Sequence, residues 1–300
     1  MFALTILGNN SAIPAYGRNP TAQVLQTQEE AYLIDCGEGT QMQMSKYKVK
    51  RSRINRIFIS HMHGDHYFGL IGLLTSMGLM GRTADMHIFG PPPLQAIIQI
   101  HLDAANVTLP FPIYFHQLGL AGVISNDHRV EVYAFPVHHR IPTWGFKFTE
   151  IRQPRHIDPE RANAFEIPAS AYPALQQGED YVHAKGTIVP NEEVTTPGIA
   201  PRTYAYCADT LFDASIASVV AGADLLYHES TYLHDLQERA ASRFHSTSVE
   251  AAQIAKLANV KKLLLGHFSS KYEDLSPFLE EARPVFENTE LALEGACFPV

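Results

Sequence analysis

The chain has 300 residues, of which 46% are hydrophobic and 18% charged, a composition typical of a globular protein large enough to bury one continuous core. Its three cysteines (Cys36, Cys207 and Cys297) are too few and too scattered for a disulfide framework, and the sequence has no apolar run of membrane-spanning length. The formal charge of −8 argues mildly against a nucleic-acid partner, because phosphate binding normally draws on an excess of lysine and arginine.

The first half of the chain alternates strand patterns with helical patterns. Its first eight residues lack the basic segment of a signal peptide and predict a strand, so we expect a cytoplasmic protein without membrane association. Short apolar runs predict strands over residues 3–7, 22–26, 31–35, 56–60, 86–89, 129–136 and 144–149. Apolar spacing of three and four predicts helices over residues 40–47, 67–80 and 94–105.

The second half continues in the same style, without a close sequence repeat of the first. Strands are predicted over residues 203–207, 225–229 and 262–266. Helices are predicted over residues 212–221, 248–258 and 277–286. A strand-rich half followed by a half with interleaved helices favours an α/β fold in which two sheets lie face to face with helices outside.

Residues 150–201, between the two halves, differ in composition. They are rich in proline, alanine, glutamate and glutamine, and they carry eight acidic residues against four lysines and arginines. A segment of this length without sustained periodicity inside a compact domain is usually functional. We therefore predict one domain over residues 1–300 with a flexible arm inserted at residues 150–201. A simple interdomain linker is the alternative.

The densest group of metal-binding side chains directly follows the strand pattern of residues 56–60. It consists of His61, His63, Asp65 and His66. On an extended chain the side chains of His61 and His63 point to the same face. The glycine after His63 lets the backbone turn, so that Asp65 and His66 face a second metal position. Neutral imidazole and carboxylate suit zinc, with manganese or iron as substitutes. The alternative is that these four side chains are solvated loop residues, but that interpretation gives no structural reason why three histidines and an aspartate stand so close together.

One such cluster cannot complete two zinc sites, so further donors must come from later strand ends. Polar residues directly after apolar strands are typical of α/β active sites. The candidates at such positions are His138 or His139, Asp209, His245 and His267. A single histidine at a strand end is more often structural, but this set together indicates a metal centre.

Positive charge is concentrated immediately before the histidine cluster. It comes from Lys46, Lys48, Lys50, Arg51, Arg53 and Arg56, with no acidic residue between them. This basic cluster either forms a solvated helix end and loop or contacts phosphate beside the metal centre, and the sequence leaves both interpretations open.

Further motifs accompany the cluster along nearly the whole chain outside residues 150–201. They lie at residues 34–41, 67–70, 139–146, 208–210, 228–231, 245–247 and 266–268. With these motifs the sequence resembles tRNase Z (ribonuclease Z), the tRNA 3′-processing branch of the metallo-β-lactamase superfamily. The generic histidine cluster specifies only the superfamily, whereas Gly64-Asp65 and His245-Ser246-Thr247 point to this branch.

The resemblance implies a four-layer αββα sandwich of the metallo-β-lactamase type, with residues 150–201 as a protruding arm and candidate tRNA-binding exosite. It also implies two Zn²⁺ per subunit, with Mn²⁺ as a possible substitute. The implied ligands are His61, His63 and His139 for one ion, Asp65, His66 and His267 for the other, and Asp209 as the bridge. His139 is preferred over His138 because the family ligand stands six positions before a glycine that here is Gly145.

The implied reaction is endonucleolytic removal of the 3′ trailer from precursor tRNA by a hydroxide held between the two ions. Asp65 would orient the hydroxide and accept its proton, and His245 would donate a proton or contact phosphate. Family members form homodimers, so we expect a homodimer. The candidate substrate-binding residues are Arg18, Asn19, Lys46, Arg51, Arg152 and Arg155.

The arm departs from the family pattern. It lacks the Gly-Pro and lysine-rich motifs of the family, and its net negative charge opposes RNA binding. The alternative function is therefore a dinuclear-zinc phosphodiesterase that acts on other RNA or on small phosphodiesters. A non-catalytic relic of the fold is disfavoured, because it has no physical need for seven metal ligands.

Overall fold

A computed structural model of the protein describes residues 1–198 and 200–300. Within these residues the strands are β1 (Ala3–Gly8), β2 (Ala22–Gln26), β3 (Ala31–Cys36), β4 (Ile54–Phe58), β5 (Met86–Gly90), β6 (Ile113–Gln117), β7 (Gly122–Asn126), β8 (Val130–Val137), β9 (Thr143–Glu150), β10 (His156–Ile157), β11 (Tyr181–Val182), β12 (Ile188–Val189), β13 (Thr195–Thr196), β14 (Thr203–Cys207), β15 (Leu225–Glu229), β16 (Leu263–Gly266), β17 (Thr289–Leu291) and β18 (Cys297–Pro299). The helices are α1 (Thr40–Lys46), α2 (Gly64–Tyr67), α3 (Leu70–Leu79), α4 (Pro93–Ala104), α5 (Pro159–Ala164), α6 (Tyr172–Gln176), α7 (Asn191–Val194), α8 (Ile216–Val219), α9 (Gln237–Ser242), α10 (Ser248–Leu257) and α11 (Ser276–Ala282). No helix in this part of the chain has both the length and the apolar character needed to cross a membrane.

Two seven-stranded sheets form the larger compact unit. Sheet one has the strand order β18-β1-β2-β3-β4-β5-β6, and sheet two has the order β17-β16-β15-β14-β9-β8-β7. Strands β3 to β6 run parallel to one another in sheet one, as do β14 to β17 in sheet two. Because parallel strands end at the same edge of a sheet, the loops after them gather where polar residues can converge.

Aromatic side chains fill the space between the two sheets. Phe58 of β4 contacts Phe146 and Phe148 of β9, with ring centroids 5.6 and 5.2 Å apart. Tyr204 of β14 donates a hydrogen bond to Gln23 of β2. All five side chains are fully buried, and aromatic rings of this kind supply much of the apolar area that a core removes from water.

Helices cover the outer face of each sheet. On sheet one, Leu73 of α3 belongs to the same buried cluster as Ile57 of β4. On sheet two, Ile254 of α10 and Phe278 of α11 belong to the cluster that contains Leu226 of β15. The order helix, sheet, sheet, helix confirms the predicted α/β fold class with four layers.

Some elements differ from the sequence prediction for local reasons. The helix predicted over residues 67–80 is interrupted between α2 and α3, where the Gly69 N–H donates to the Cys36 carbonyl and a Cβ would lie 2.2 Å from the Gly37 oxygen. The helix predicted over residues 212–221 is reduced to α8. The sequence analysis did not predict β6, β7, β17, β18 and α9, which are short elements.

A second compact unit comprises residues 128–130 and 149–202. It contains α5, α6 and α7 and two small sheets formed by β10 with β13 and by β11 with β12. Ala162, Leu175 and Val194 are buried in a small core of their own. The segment predicted as an arm therefore has regular structure, and its helices of six, five and four residues are too short to produce a sustained sequence period.

Candidate metal centre

The seven predicted ligands come together from strand ends of both sheets. Those of the histidine cluster occupy the loop after β4 and the start of α2. His139 follows β8, Asp209 follows β14 and His267 follows β16. Their nitrogen and oxygen atoms fall into two groups, each small enough to surround one ion.

The first group consists of His61, His63, His139 and one oxygen of Asp209. His63 Nδ1 lies 3.1 Å from His61 Nε2 and 3.3 Å from His139 Nε2. Asp209 Oδ2 lies 3.5 Å from His61 Nε2 and 3.9 Å from His139 Nε2. Donors around a tetrahedral zinc ion are about 3.3 Å apart when the zinc–donor bonds are about 2.0 Å, so the group has suitable dimensions.

The second group consists of Asp65, His66 and His267, with the other oxygen of Asp209 beside it. The Nε2 atoms of His66 and His267 are 3.3 Å apart, and Asp65 Oδ2 lies 3.6 and 3.4 Å from them. Asp209 Oδ1 lies 3.5 Å from His66 Nε2 and 3.2 Å from His267 Nε2. One carboxylate therefore faces both groups.

The charge at this centre favours a bound cation. Asp209 Oδ1 is buried and accepts no hydrogen bond from the described residues, which is costly for a carboxylate oxygen unless a cation is beside it. Burial opposes the charged form of His66, but Asp209, Asp65 and Asp35 outweigh it and hold its pKa well above the usual value. These carboxylates need a positive charge, and a divalent ion can supply it in place of the proton.

The first group favours the neutral imidazoles that a metal requires. Burial, together with the neighbouring His66, holds the pKa of His61 well below its ordinary value. Burial likewise lowers the pKa of His63 to about 4, although Asp209 opposes this. Neutral nitrogen donors next to a shared carboxylate match the donor set of zinc.

The ring nitrogens that face away from the centre are held by neighbouring groups. His66 Nδ1 lies 2.8 Å from Asp35 Oδ2, and His267 Nδ1 lies 2.9 Å from Thr231 Oγ1. His139 Nδ1 donates to the Phe244 carbonyl over 2.8 Å. Such outer contacts fix the orientation of a ligand ring and direct its other nitrogen at the metal.

Two residues of the centre have unusual backbone conformations. Asp35 and His267 have φ values of 55° and 60°, in the left-handed region that residues with side chains seldom adopt. Strain of this kind persists where the surrounding contacts fix the residue, and it is concentrated at functional sites.

His245 lies beside the two groups and is held by a buried carboxylate. Its Nδ1 is 2.9 Å from Glu229 Oε1 and 3.1 Å from Thr231 Oγ1. Burial disfavours its charged form, but Glu229 outweighs this and raises the pKa of His245 to about 9. The imidazole is therefore protonated at neutral pH, with Nε2 left to act on a molecule in the cleft.

A cleft of about 620 Å³ opens over the centre and is lined by His63, Asp65, His139, Asp209 and His245. Its rim also carries Arg140, Arg239 and Arg243. Arg140 contacts His63 Nε2 over 3.1 Å, and none of the three arginines forms an ion pair with a carboxylate among the described residues. The three arginines place positive charge beside the carboxylates of Glu38, Asp65 and Asp209, which line the same cleft.

The six predicted substrate-binding residues do not line this cleft. The Arg18 guanidinium donates hydrogen bonds to Asn10 Oδ1 and to the carbonyls of Tyr272 and Glu273. Asn19 bonds to Glu294 at the base of the same loop. Because these polar atoms are engaged within the protein, both residues stabilise the loop in this structure.

The other four lie elsewhere. Lys46 is exposed with its Nζ 5.0 Å from the centroid of the Tyr47 ring, and Arg51 lines a separate pocket of about 480 Å³. Arg152 and Arg155 line a pocket of about 350 Å³ within the second unit. His138, the alternative to His139, points away from the centre, with its side chain 73% exposed.

Asp35 and Glu229 received no role in the sequence analysis, although both lie within the quoted motifs. Each is an acidic residue at the end of a fully buried apolar strand, and that position was the available signal. Arg140, Arg239 and Arg243 were also missed. Nothing in the sequence indicates that residues about one hundred positions apart share one cleft.

Relatives that match over the full length decide the family. A protein of Porphyromonas gingivalis named Ribonuclease Z is 42% identical over 295 residues, which cover 98% of this chain and 97% of that protein. A Bacteroides thetaiotaomicron protein of the same name is 42% identical over 301 residues, covering 100% of this chain and 95% of that protein. The chain belongs to the ribonuclease Z family.

Solved structures agree with this assignment. The short form of human tRNase Z is 26% identical with a TM-score of 0.72, covering 99% of this chain and 100% of that chain. The metallo-β-lactamase fold protein YhfI of Bacillus subtilis is 19% identical with a TM-score of 0.69 and has the same fold. Residues 2–105, about a third of the chain, also match the family model described as Anti-Pycsar protein Apyc1.

These matches confirm the resemblance from the sequence. The protein is a metal-dependent endoribonuclease of the ribonuclease Z family with the metallo-β-lactamase fold. The predicted 3′ processing of tRNA is the activity that this family membership supports.

Proposed function

We propose that the protein removes the 3′ trailer from precursor tRNA by phosphodiester hydrolysis, with two zinc ions in each subunit and manganese as a substitute. His61, His63 and His139 would hold one ion, Asp65, His66 and His267 the other, and Asp209 both. The observation that carries this proposal is the position of Asp209, whose Oδ2 faces the first group while its Oδ1 faces the second.

When bound, the two ions supply positive charge that polarises a phosphodiester and acidifies water. Burial opposes ionisation of Asp65, but His66 and His267 outweigh it and hold its pKa below the usual value. The ionised carboxylate, fixed by a 2.7 Å hydrogen bond from the Ala12 N–H, orients the attacking water and accepts its proton. The protonated His245 donates a proton to the leaving oxygen.

The rim arginines would bind substrate phosphate. Arg140, Arg239 and Arg243 have no carboxylate ion pair among the described residues, so their charge is available to an anion entering the cleft. Guanidinium groups bind phosphate oxygens in a bidentate manner. This concentration of charge offers RNA a favourable approach despite the net charge of −8.

We propose the second unit as a tRNA exosite. Its pocket of about 350 Å³ contains Arg152, Arg155, Gln176 and Gln177 as polar lining groups. Arg155 Nε donates to Thr195 Oγ1 over 2.7 Å, which fixes the guanidinium at the pocket wall. Arginine and amide groups around one pocket suit a sugar–phosphate backbone.

The test of the exosite compares two substrates. Arg152→Ala and Arg155→Ala should raise KM for precursor tRNA and leave hydrolysis of bis(4-nitrophenyl) phosphate unchanged. Arg161→Ala is the matched control, because this arginine of the same unit contacts Asp158 and Glu193 and lies outside the pocket. Equal effects of all three substitutions would count against the exosite.

We also propose that the protein works in the cytoplasm as a homodimer. Helix α1 packs on α3, and Met42 of α1, Leu79 of α3 and Met80 directly after α3 are exposed by 67%, 90% and 59%. Leu79→Lys should convert the dimer to a monomer in light scattering, while Leu257→Lys at an exposed site on α10 should not. A wild-type monomer in light scattering would contradict the dimer, and cell fractionation checks the location.

The central experiment is cleavage of a labelled tRNA with a 3′ extension by the zinc-loaded protein. Asp65→Ala should abolish cleavage of this substrate without unfolding the protein. Glu38→Ala is the control, because Glu38 is an exposed acid that lines the same cleft. If the wild type hydrolyses bis(4-nitrophenyl) phosphate but leaves the extended tRNA intact, the alternative of a phosphodiesterase for other substrates is correct.

A further inference from the structure

The two groups of metal ligands have different surroundings. In the second group, His66 Nδ1 bonds to the Asp35 carboxylate over 2.8 Å. In the first group, His61 Nδ1 meets the Ser60 hydroxyl at 3.0 Å, and His63 Nε2 meets the Arg140 guanidinium at 3.1 Å. A carboxylate behind a ligand imidazole makes its other nitrogen a stronger donor, whereas a hydroxyl does so less and a cation opposes it.

Asp35 is itself held from several directions. Tyr206 Oη donates to Asp35 Oδ2 over 2.6 Å, Ser60 Oγ donates to the same oxygen over 2.8 Å, and the Ser60 N–H donates to Oδ1 over 2.7 Å. Asp35, Ser60, His66 and Tyr206 are at most 1% exposed, so no bulk water competes for these bonds. The chain Tyr206–Asp35–His66 thus positions His66 directly, whereas Asp35 reaches His61 only through the Ser60 hydroxyl.

We propose that Tyr206 is a positioning residue which, through Asp35, orients His66 and makes the group of Asp65, His66 and His267 the tighter of the two zinc sites, so that this site fills first. The inference rests on the proposed function in so far as that function assigns two zinc ions.

The charges of the two groups lead to the same order. The second group contains Asp65 as a ligand of its own and has Asp35 behind it, whereas the first group has three imidazoles and Arg140 as a neighbour. Asp209 faces both groups and therefore favours neither. The attraction of a dication to the nearby carboxylates then makes the second group the site of higher affinity.

The order of filling can be measured on the metal-free protein with zinc alone. Calorimetric titration of the wild type in competition with a chromophoric chelator should show one tight and one weaker event. The tight event should persist in His63→Ala and disappear in His267→Ala. Persistence in His267→Ala together with loss in His63→Ala would overturn the proposed order. A wild type that binds only one zinc ion would instead refute the two-ion assignment.

The role of Tyr206 is tested by a matched pair of substitutions. Tyr206→Phe should weaken the tight event about threefold to tenfold and leave the weaker event unchanged, because replacement of a direct outer partner typically costs about tenfold to a hundredfold and Tyr206 acts one step further out. Tyr204→Phe should alter neither event, since Tyr204 lies on the same strand, is equally buried and bonds to Gln23 instead.

Equal weakening in Tyr204→Phe and Tyr206→Phe would show an effect of packing and refute the positioning role. Circular dichroism and thermal melting of the metal-free variants verify that they fold. Should Tyr206→Phe fail to fold, Asp35→Asn provides a second test, because it keeps the volume and removes the charge behind His66. The tight event should then weaken by more than tenfold, and an unchanged tight event would refute the proposal.

Discussion

Replacing Glu229 by glutamine would test how the protein keeps His245 protonated. The fully buried Glu229 carboxylate lies 2.9 Å from His245 Nδ1 and raises the pKa of that imidazole to about 9 against burial. Glutamine keeps the size of the side chain and removes its charge. Burial still lowers the pKa of His245, and only Asp209 and Asp65 still raise it, so the pKa should fall from about 9 towards its ordinary value of 6.5.

The size of the effect follows from the two pKa values. Near pH 7.5, a group with a pKa of about 9 is about 97% protonated, whereas one with a pKa of 6.5 is about 9% protonated. Because only the protonated imidazole could donate the proposed proton, the rate of the chemical step should fall by up to about tenfold in Glu229→Gln. The loss of activity that accompanies rising pH should also begin at a lower pH in the variant than in the wild type.

The assay is single-turnover cleavage of precursor tRNA as a function of pH, with bis(4-nitrophenyl) phosphate as the comparison. Nitrophenolate leaves without a proton, so the variant should hydrolyse this ester at nearly the wild-type rate. In the His245→Ala background the Glu229→Gln substitution should have no further effect on tRNA cleavage. Equal slowing on both substrates would refute the reasoning and show that Glu229 acts on the metal ligands, since it also bonds Thr231 beside His267.

Three further predictions concern the metal and the core. Asp209→Ala should bind fewer than two zinc ions by elemental analysis, because it removes an oxygen from both groups, and two retained equivalents would contradict the shared role. Gly145→Ala should lower the free energy of unfolding by about 1–3 kcal/mol in thermal or denaturant melts, since its Cβ would lie 2.3 Å from Phe135 Cζ and 2.8 Å from the Tyr206 carbonyl oxygen. Gly122→Ala, whose Cβ would meet no atom of the described residues within 4 Å, should leave stability nearly unchanged. Treatment with a chelator should lower the melting temperature and added zinc should restore it, because a cation bound only by the folded state stabilises that state.

The buried strands were the elements that sequence predicted best. The predicted strands at residues 22–26, 203–207 and 225–229 have the same bounds as β2, β14 and β15. For β14 and β15 the reason is burial on both faces, which makes such strands mainly apolar runs. The candidate metal ligands could be selected from the sequence for a related reason, since polar residues directly after such runs are conspicuous. Edge strands such as β7 have partly exposed side chains and gave no comparable signal.

Outside the metal centre, contacts between distant segments could not be predicted. Nothing local to Arg18 indicates that its guanidinium bonds to the carbonyls of Tyr272 and Glu273. The rim of the cleft combines Arg140 with Arg239 and Arg243 from another part of the chain. Such groupings depend on how the two sheets align, and the periodicity of one segment carries no information about that alignment.

The candidate metal donors come from both sheets, which has a consequence for the order of folding and metal binding. His61 and His66 follow a strand of sheet one, whereas Asp209 and His267 follow strands of sheet two. Neither sheet alone supplies all the donors of either group, so we expect tight binding of the proposed metal ions only after the two sheets have docked. Ions bound there would link the two sheets, and the time of metal binding during refolding would report when the sheets have docked.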